Sequence, residues 1–214
     1  MTLTGSFSWP GTLFHVERQQ LWLEIAESSP FPVPHTFIDR LELYRGWLLD
    51  EAMGAGGIGP GEAARVDIRH IADSLLFSLV MEPTDHVLDV GTGVGLPGIP
   101  LAILTPGTQF TLLDRSRRRI DLVRRVCRIL QLDNVVVVQG DVTGYAGPFA
   151  TVVTRASIAP EELLGLLRTL VSQDGMAILG GSWTQAPSVA GYETKEIGSA
   201  FLDRSVWILM MRQT

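Results

Sequence analysis

The stretch from Val87 to Ile103 reads VLDVGTGVGLPGIPLAI and joins an apolar run to a helical run. Four glycines and two prolines lie in this join. Because glycine and proline form strands and helices poorly, the join is predicted to be a loop. Glycines let a chain turn sharply and let a ligand lie against bare backbone, and the helix that follows is expected to present its free N–H groups to that ligand. The stretch therefore predicts a ligand site between a strand and a helix.

From Asp85 onwards, short apolar runs alternate with helical patterns. The apolar runs are HVLDV (86–90), QFTLLD (109–114), NVVVVQGD (134–141), FATVVTRA (149–156), GMAILGG (175–181) and SVWILMMRQ (205–213). This alternation predicts an α/β fold with a doubly wound, Rossmann-like sheet, mostly parallel and with an antiparallel last strand. In such a fold the loop after the first strand lies at the carboxyl edge of the sheet, where ligands bind.

The chain before this region is predicted to be helical, with residues 1–65 forming a small extension and residues 66–214 the main domain. FHVERQQLWLEIAES (14–28) and HTFIDRLELYRGWLLDEAM (35–53) place apolar residues at helical spacing. GAGGIGPGEAA (54–64) is the best candidate for a flexible linker. VDIRHIADSLLFSLVM (66–81) is predicted as one amphipathic helix leading into the first strand.

Composition limits the class of protein. Hydrophobic residues make up 46% of the 214 residues, enough for a real core. The sequence has no apolar run of about 18 residues and no signal-peptide pattern, which favours a cytoplasmic protein without a membrane span. The single cysteine, Cys127, is interpreted as a core residue and excludes a cysteine-rich metal site. A metal-free monomer is expected.

Two ligand classes fit the glycines of the loop. The dinucleotide fingerprint Gly-x-Gly-x-x-Gly can be placed on Gly93, Gly95 and Gly98, but it then starts after the loop has turned. The alternative is Asp-x-Gly-x-Gly-x-Gly from Asp89 to Gly95, which resembles motif I of class I methyltransferases that use S-adenosylmethionine (SAM). A glycine-rich turn without a ligand is the third interpretation.

Acidic residues at the next two strand ends bear on that choice. Asp114 ends the second strand and would accept hydrogen bonds from ribose hydroxyls in either class. Asp141 follows the third strand and suits an adenine amino group, a position typical of methyltransferases. These positions favour SAM as the cofactor.

Five segments resemble the ribosomal small-subunit methyltransferase G family, also named glucose-inhibited division protein B. They are RHIADSLL (69–76), LDVGTGVGLPGIPLAI, FTLLDRSRRRIDLVRRV, VVVVQGDV and VVTRA, all within residues 69–181. The resemblance implies SAM as cofactor and methyl transfer to N7 of a guanine in 16S ribosomal RNA, either free or in the 30S subunit. It also implies cofactor contacts at Gly91, Leu96, Val142, Thr143 and Arg155. Our reading of the residues adds Asp89, Gly93, Gly95, Asp114 and Asp141 to these.

The chain departs from the family pattern in three places. Val142-Thr143 stands where the family usually has a small residue followed by Glu, and Asp141 is hypothesised to supply the missing acidic contact. MGAGGIGPGEAARVDI (53–68) replaces a Trp-Asn … Asn-Leu-Thr stretch, and Leu179-Gly180-Gly181 replaces Leu-Lys-Gly. The last two favour a methyltransferase redirected to a small molecule or another RNA. A non-catalytic SAM-binding module is a third interpretation, in which the intact glycine loop and Asp114 still bind the cofactor without turnover.

Methylation at guanine N7 needs no catalytic base, because this nitrogen holds an exposed lone pair; alignment of the reactants is then the main requirement. Arg155 follows the fourth strand and would bind the cofactor carboxylate or an RNA phosphate, unless it forms a structural ion pair. His70 either lines the substrate pocket or pairs with Asp73 on its own helix. Trp183 either stacks on a base or belongs to the core.

The net charge of −6 argues against nucleic-acid binding, but the basic residues are unevenly distributed. Seven of the 17 lie in one segment, at Arg115, Arg117, Arg118, Arg119, Arg124, Arg125 and Arg128. The segment is either a solvated helix face or a surface that contacts RNA phosphates, with Arg117, Arg118 and Arg124 as candidate contacts.

Overall fold

A seven-stranded sheet forms the centre of the computed structural model, which describes residues 15–145, 147–155, 159–181, 183–202 and 204–212. The strands are β1 (His86–Val90), β2 (Gln109–Asp114), β3 (Val135–Gln139), β4 (Phe149–Arg155), β5 (Val171–Gly180), β6 (Glu193–Glu196) and β7 (Trp207–Arg212). Their order is β3-β2-β1-β4-β5-β7-β6. β1 to β5 pair in parallel, while β7 is antiparallel to both β5 and β6. This confirms the predicted doubly wound sheet.

Helices cover both faces of the sheet, which is why its central strands read as nearly continuous apolar runs. The helices are α1 (His15–Glu27), α2 (Phe37–Trp47), α3 (Asp73–Leu75), α4 (Gly98–Leu104), α5 (Arg117–Ile129) and α6 (Pro160–Leu170). Along β1, Val87 belongs to a hydrophobic cluster with α1, α2, α4 and α5, whereas Leu88 belongs to a cluster with α6. Alternate strand residues thus build two cores.

α4 is buried at each of its seven residues because it lies between the sheet and the N-terminal helices. α2 packs directly against it. One hydrophobic cluster includes Leu41 of α2 and Ile99 of α4. The N-terminal helices and the sheet therefore share a core, and the predicted division at residues 65 and 66 stays a prediction.

The segment between α2 and β1 is helical but not the single regular helix predicted. A π-helical stretch, Leu48–Ala52, continues α2, and 3-10 turns at Pro60–Arg65 and Leu76–Leu79 flank a second π-helical stretch, Val66–Ala72. In that second stretch Arg69 O accepts a hydrogen bond from Arg155 Nη1 at 2.9 Å. Arg155, 86 residues further along the chain, is thus attached to the helical segment before β1.

The predicted linker, residues 54–64, packs against the body of the protein. Ile58 is buried, and Gly57 lies so close to Val94 that an added Cβ would be 2.5 Å from its Cγ1. Glycine at position 57 is thus explained by close approach rather than by flexibility. None of the helices in the described ranges is long and apolar enough to span a bilayer.

Candidate functional site

A cavity of about 480 Å³ opens at the carboxyl edge of β1, β2 and β3. It lies next to the point between β1 and β4 where the strand order reverses, which is the usual ligand position in open α/β sheets. Its walls are formed by Val90, Gly91, Leu113, Asp114, Arg115, Arg119, Gly140, Asp141, Val142, Thr143, Ala159, Glu162 and Leu166. The cavity falls within the size range of small-molecule and cofactor sites.

The glycine loop between β1 and α4 turns through three residues with positive φ. Gly91, Gly93 and Gly95 have φ of 69°, 62° and 101°, a region that other residues rarely adopt. The N–H of Gly91 donates to Leu113 O on β2 at 2.8 Å. The N–H of Gly93 donates to Asp114 Oδ2 at 3.0 Å. The loop is therefore fastened to the end of β2, beside the cavity.

Asp89 fixes the loop from inside the protein. Its Oδ2 accepts from Thr92 Oγ1 at 2.7 Å and from the N–H of Gly98 at 2.9 Å. Asp89 is fully buried, and its Oδ1 has no hydrogen-bond partner among the described residues. Burial raises the pKa of this carboxyl to about 7, against the opposing effect of the two hydrogen bonds.

The N–H groups in the first turn of α4 are already used, so the expectation that they face a ligand is wrong. Gly98 donates to Asp89, Ile99 donates to Gly95 O at 2.7 Å, and Pro100 has no N–H. Leu101 donates to Pro97 O at 3.3 Å. A dinucleotide binds its pyrophosphate through free N–H groups at the start of this helix. Here the Asp89 carboxyl already accepts from the first of them, that of Gly98. This arrangement disfavours the dinucleotide interpretation.

Asp114 lies between the loop and the cavity. Its Oδ1 accepts from the N–H of Ser116 at 2.8 Å, and Arg119 Nη1 lies 3.6 Å from its Oδ2. The residue is 4% exposed, and it is part of the cavity wall. The oxygens of this side chain can accept further hydrogen bonds, as ribose hydroxyls require.

Asp141, which follows β3, is also part of the cavity wall. Its Oδ1 accepts from the N–H of Thr143 at 2.9 Å and from Thr143 Oγ1 at 2.7 Å, and it caps the short turn Val142–Gly144. These hydrogen bonds lower the pKa of the exposed Asp141 carboxyl. Its Oδ2 takes no part in either bond, so the carboxylate keeps an oxygen for a ligand amino group.

Arg155 is held by the π-helical stretch rather than by a carboxylate. Its Nη1 donates to Arg69 O, and its Nη2 lies 3.3 Å from His70 Nδ1. Since a guanidinium only donates, His70 Nδ1 accepts, and burial and the nearby Arg155 lower the pKa of His70. His70 Nε2 lies 3.3 Å from Glu62 Oε2, while Asp73 pairs with Arg204.

The predicted site residues divide into two groups. Those that line the cavity are Gly91, Asp114, Asp141, Val142 and Thr143. The wall does not include five other predicted residues, which lie in the glycine loop or at the ends of β1 and β4: Asp89, Gly93, Gly95, Leu96 and Arg155. His70, Arg117, Arg118, Arg124 and Trp183 also lie away from it, and Trp183 packs over Gly181 against the α6 cluster.

Eight of the 13 wall residues were not predicted as cofactor contacts, among them Arg119 and Glu162. Arg119 was grouped with the other arginines, although its position three residues after the helix-capping Ser116 turns it back toward Asp114. Glu162 reaches the cavity because α6 covers that face of the sheet, and no local sequence signal indicates this. Cys127 is buried with its pKa raised to about 12, which confirms it as a core residue.

The arginines of α5 are exposed on one side of the helix. The side chain of Arg117 is 84% exposed and lies 3.9 Å from Asp121. Arg125 pairs with Glu51 at 2.8 Å, and Arg124 Nη2 donates to Val137 O at 3.3 Å. In the ranges that the structure describes, no cluster of histidine, cysteine or acidic residues is arranged to hold a metal ion.

Comparison with known proteins gives consistent results. The model of the family described as rRNA small subunit methyltransferase G matches residues 38–198, from α2 to just beyond β6. The ribosomal RNA small subunit methyltransferase G of Kineococcus radiotolerans is 35% identical over 187 residues, which cover 81% of this chain and 74% of that protein. That of Erwinia tasmaniensis is 42% identical over 113 residues, or 50% of this chain and 53% of the relative. The chain thus spans about half the length of several curated relatives.

The solved structures include close relatives in fold but not in sequence. The [4+2]-cyclase SpnF superposes with a TM-score of 0.56, covering 86% of this chain and 98% of the cyclase. Its sequence identity is 14%, so this likeness shows the fold alone.

Proposed function

We propose, since this chain belongs to the rRNA small subunit methyltransferase G family, that it transfers a methyl group from SAM to small-subunit ribosomal RNA. The acceptor proposed is N7 of a guanine in 16S RNA, within free RNA or the 30S subunit. A cytoplasmic site of action follows from this substrate. The methyltransferase names of the relatives support the reaction class.

Two features together carry the proposal: the N–H groups at the start of α4 are already hydrogen-bonded, and two aspartates line the cavity. Asp89 and the loop carbonyls occupy the first N–H groups of α4, which leaves no phosphate site there. Asp114 and Asp141 line the cavity from two sides. A nucleoside with hydroxyl and amino donors and no phosphate fits this arrangement, and the adenosine of SAM is such a nucleoside.

The residues present fit SAM in distinct roles. Asp114 would accept from the ribose hydroxyls, Asp141 from the adenine amino group, and Val142 and Thr143 would flank the base. Gly91 would allow close approach of the methionine part, while Asp89, Gly93, Gly95 and Leu96 hold the loop in shape. When bound, SAM supplies an electrophilic methyl group on a sulfonium.

The chain's contribution to the reaction is alignment, because guanine N7 already carries a free electron pair. Arg155 is fixed at the carboxyl end of β4 by Arg69 O and His70 Nδ1. Its guanidinium bears a charge with no carboxylate within ion-pair distance among the described residues. Arg155 would therefore hold the cofactor carboxylate or an RNA phosphate, with His70 as its support.

The exposed arginines of α5 support RNA as the acceptor. Arg117, Arg118 and Arg124 would contact the phosphate backbone, while Trp183 would stack on a base beyond β5. Leu179-Gly180-Gly181 in place of the family's Leu-Lys-Gly favours a second candidate, transfer to a small molecule or another RNA, because it removes a cation from this edge. A non-catalytic SAM-binding module remains the candidate of another class.

Incubation of the purified protein with tritiated SAM tests the proposal. The substrates are 16S RNA, 30S subunits and a small-molecule extract, with each labelled product mapped. Label at guanine N7 in a ribosomal substrate is expected. Label confined to small molecules would support the redirected enzyme, and SAM binding without any transfer would support the binding module.

A further inference from the structure

The N-terminal helices contact the glycine loop at Val94. Tyr44, on α2, donates its hydroxyl to Val94 O at 2.9 Å across 50 residues of sequence. Tyr44 is fully buried, and its ring stacks on Trp47 with centroids 6.0 Å apart. On the other side, Gly57 packs against the Val94 side chain. Val94 is thus held by two parts of the chain that lie outside the sheet.

Val94 lies between two glycines of the loop. Its neighbours Gly93 and Gly95 both have positive φ. Glycine adopts such angles more easily than any other residue, because it has no Cβ. The other contacts of the loop attach it to β1 and β2 through Asp89, Leu113 and Asp114. The hydroxyl of Tyr44 is the contact that fixes the peptide between Val94 and Gly95 from the opposite direction.

The environment of Tyr44 keeps this hydroxyl in place as a donor. Burial raises the pKa of Tyr44 well above its usual value, so the phenol stays protonated. A side chain at position 95 would meet the hydroxyl at 3.3 Å, besides colliding with Ile99. Glycine at 95 and tyrosine at 44 are therefore matched: the hydroxyl occupies the space next to the loop that a larger residue would take.

We propose that Tyr44 is a positioning residue for the cofactor, setting the course of the glycine loop through its hydrogen bond to Val94 O. The inference rests on the proposed function, because it takes the loop as the binding surface for the methionine part of SAM. It adds a residue of the N-terminal helices, distant in sequence from the glycine motif, to those that determine SAM affinity.

Tyr44→Phe tests this with the smallest possible change. Loss of one hydroxyl leaves Val94 O unbonded, and the dissociation constant for SAM, measured by calorimetry, is expected to rise about three- to tenfold. At saturating SAM, kcat is expected to be unchanged, so the effect lies in KM for SAM. Amide hydrogen exchange in residues 93–96 is expected to be faster in the variant before SAM is added.

Thr108→Val is the matched control. Thr108 also donates its hydroxyl to a backbone carbonyl, Thr84 O at 2.9 Å, but it precedes β2, at the end of the sheet opposite the cavity. The melting temperature of the control variant is expected to fall about as much as that of Tyr44→Phe, while its SAM affinity is unchanged. Gly57→Ala, which pushes on Val94 from the other side, is expected to weaken SAM binding in the same direction as Tyr44→Phe.

The outcomes separate the two proposals. If wild-type protein binds SAM and Tyr44→Phe binds it equally well, Tyr44 serves stability alone and the inference is overturned. The same conclusion follows if Tyr44→Phe and Thr108→Val lose affinity equally. If the wild-type protein binds no SAM, the proposed function fails, and this inference fails with it.

Discussion

At Asp89 one carboxylate oxygen holds both ends of the glycine loop. Oδ2 binds Thr92, inside the loop, and Gly98, at the start of α4. A side chain on Gly98 would collide with this carboxylate, so the glycine and the aspartate require each other. The motif is therefore as much a folding unit as a ligand site.

The raised pKa of Asp89 predicts a pH-dependent stability that an Asp89→Asn variant lacks. The unfolded carboxyl ionises near pH 3.8 and the folded one near pH 7, so the folded state binds the extra proton between these values. Stability of the wild-type protein should fall through this window as pH rises, by on the order of 4 kcal/mol, and then level off.

Urea unfolding of both proteins at pH 4.5, 6 and 7.5 measures this difference. The variant is expected to gain stability relative to wild type as pH rises, since other titrating groups contribute equally to both proteins. Parallel stability curves would show that Asp89 is ionised in the folded protein throughout this range.

How much of the site the sequence predicts depends on where each wall residue comes from. Gly91, Asp114 and Asp141 follow strand ends, and parallel strands bring such positions to one edge, so their assembly is predictable. Arg119 and Glu162 reach the cavity through helix packing. Arg155 meets His70 because β4 ends beside the helical segment that precedes β1, where Arg69 O accepts from Arg155 Nη1. Contacts of this second kind depend on tertiary geometry and leave no local pattern.

Among the elements, α5 divides most sharply into two faces. Ile120, Val123 and Val126 are fully buried, whereas the arginines between them are exposed. Some of these arginines have partners within the protein, such as Glu51 for Arg125. Arg117 and Arg118 are the best placed to bind an external anion.

Arg117→Gln combined with Arg118→Gln is expected to weaken RNA binding and to flatten its salt dependence. Each lost phosphate contact lowers the slope of log K against log salt by about 0.7 to 0.9, so the slope should fall by about 1.4 to 1.8. Filter binding of 16S RNA at several salt concentrations measures it. A matched control, Lys195→Gln with Arg212→Gln, changes net charge equally but alters β6 and β7, at the opposite edge of the sheet from α5. Equal losses in both variants would assign the effect to net charge instead of α5.

Among the other elements, the amphipathic and alternating patterns predicted α1, α2, α5 and the central strands. β6 was not predicted, because its sequence ETKE is charged and pairs with β7 at an edge that needs no apolar face. The 66–81 segment has helical spacing throughout, but spacing does not distinguish π-helical and 3-10 turns from a regular helix.

On the scale of the whole molecule, the shared core predicts that the N-terminal helices and the sheet unfold together. Leu41 and Ile99 lie in one cluster, so opening α2 exposes the apolar face of α4. Hydrogen exchange in low denaturant is expected to show equal opening free energies for residues 37–47 and 86–90. Leu41→Ala should lower both, by about 2 to 5 kcal/mol. Earlier opening of 37–47 alone would favour a separate N-terminal unit.

The two edges of the sheet differ in how they resist unwanted pairing between molecules. β6 alternates charges at Glu193 and Lys195, whereas β3 is a run of valines with Val136 57% exposed. At β3 the protection comes from Arg124, which binds Val137 O. Flanking arginines thus act as gatekeepers against aggregation. Concentrated protein in high salt, where their repulsion is screened, should self-associate through β3 first.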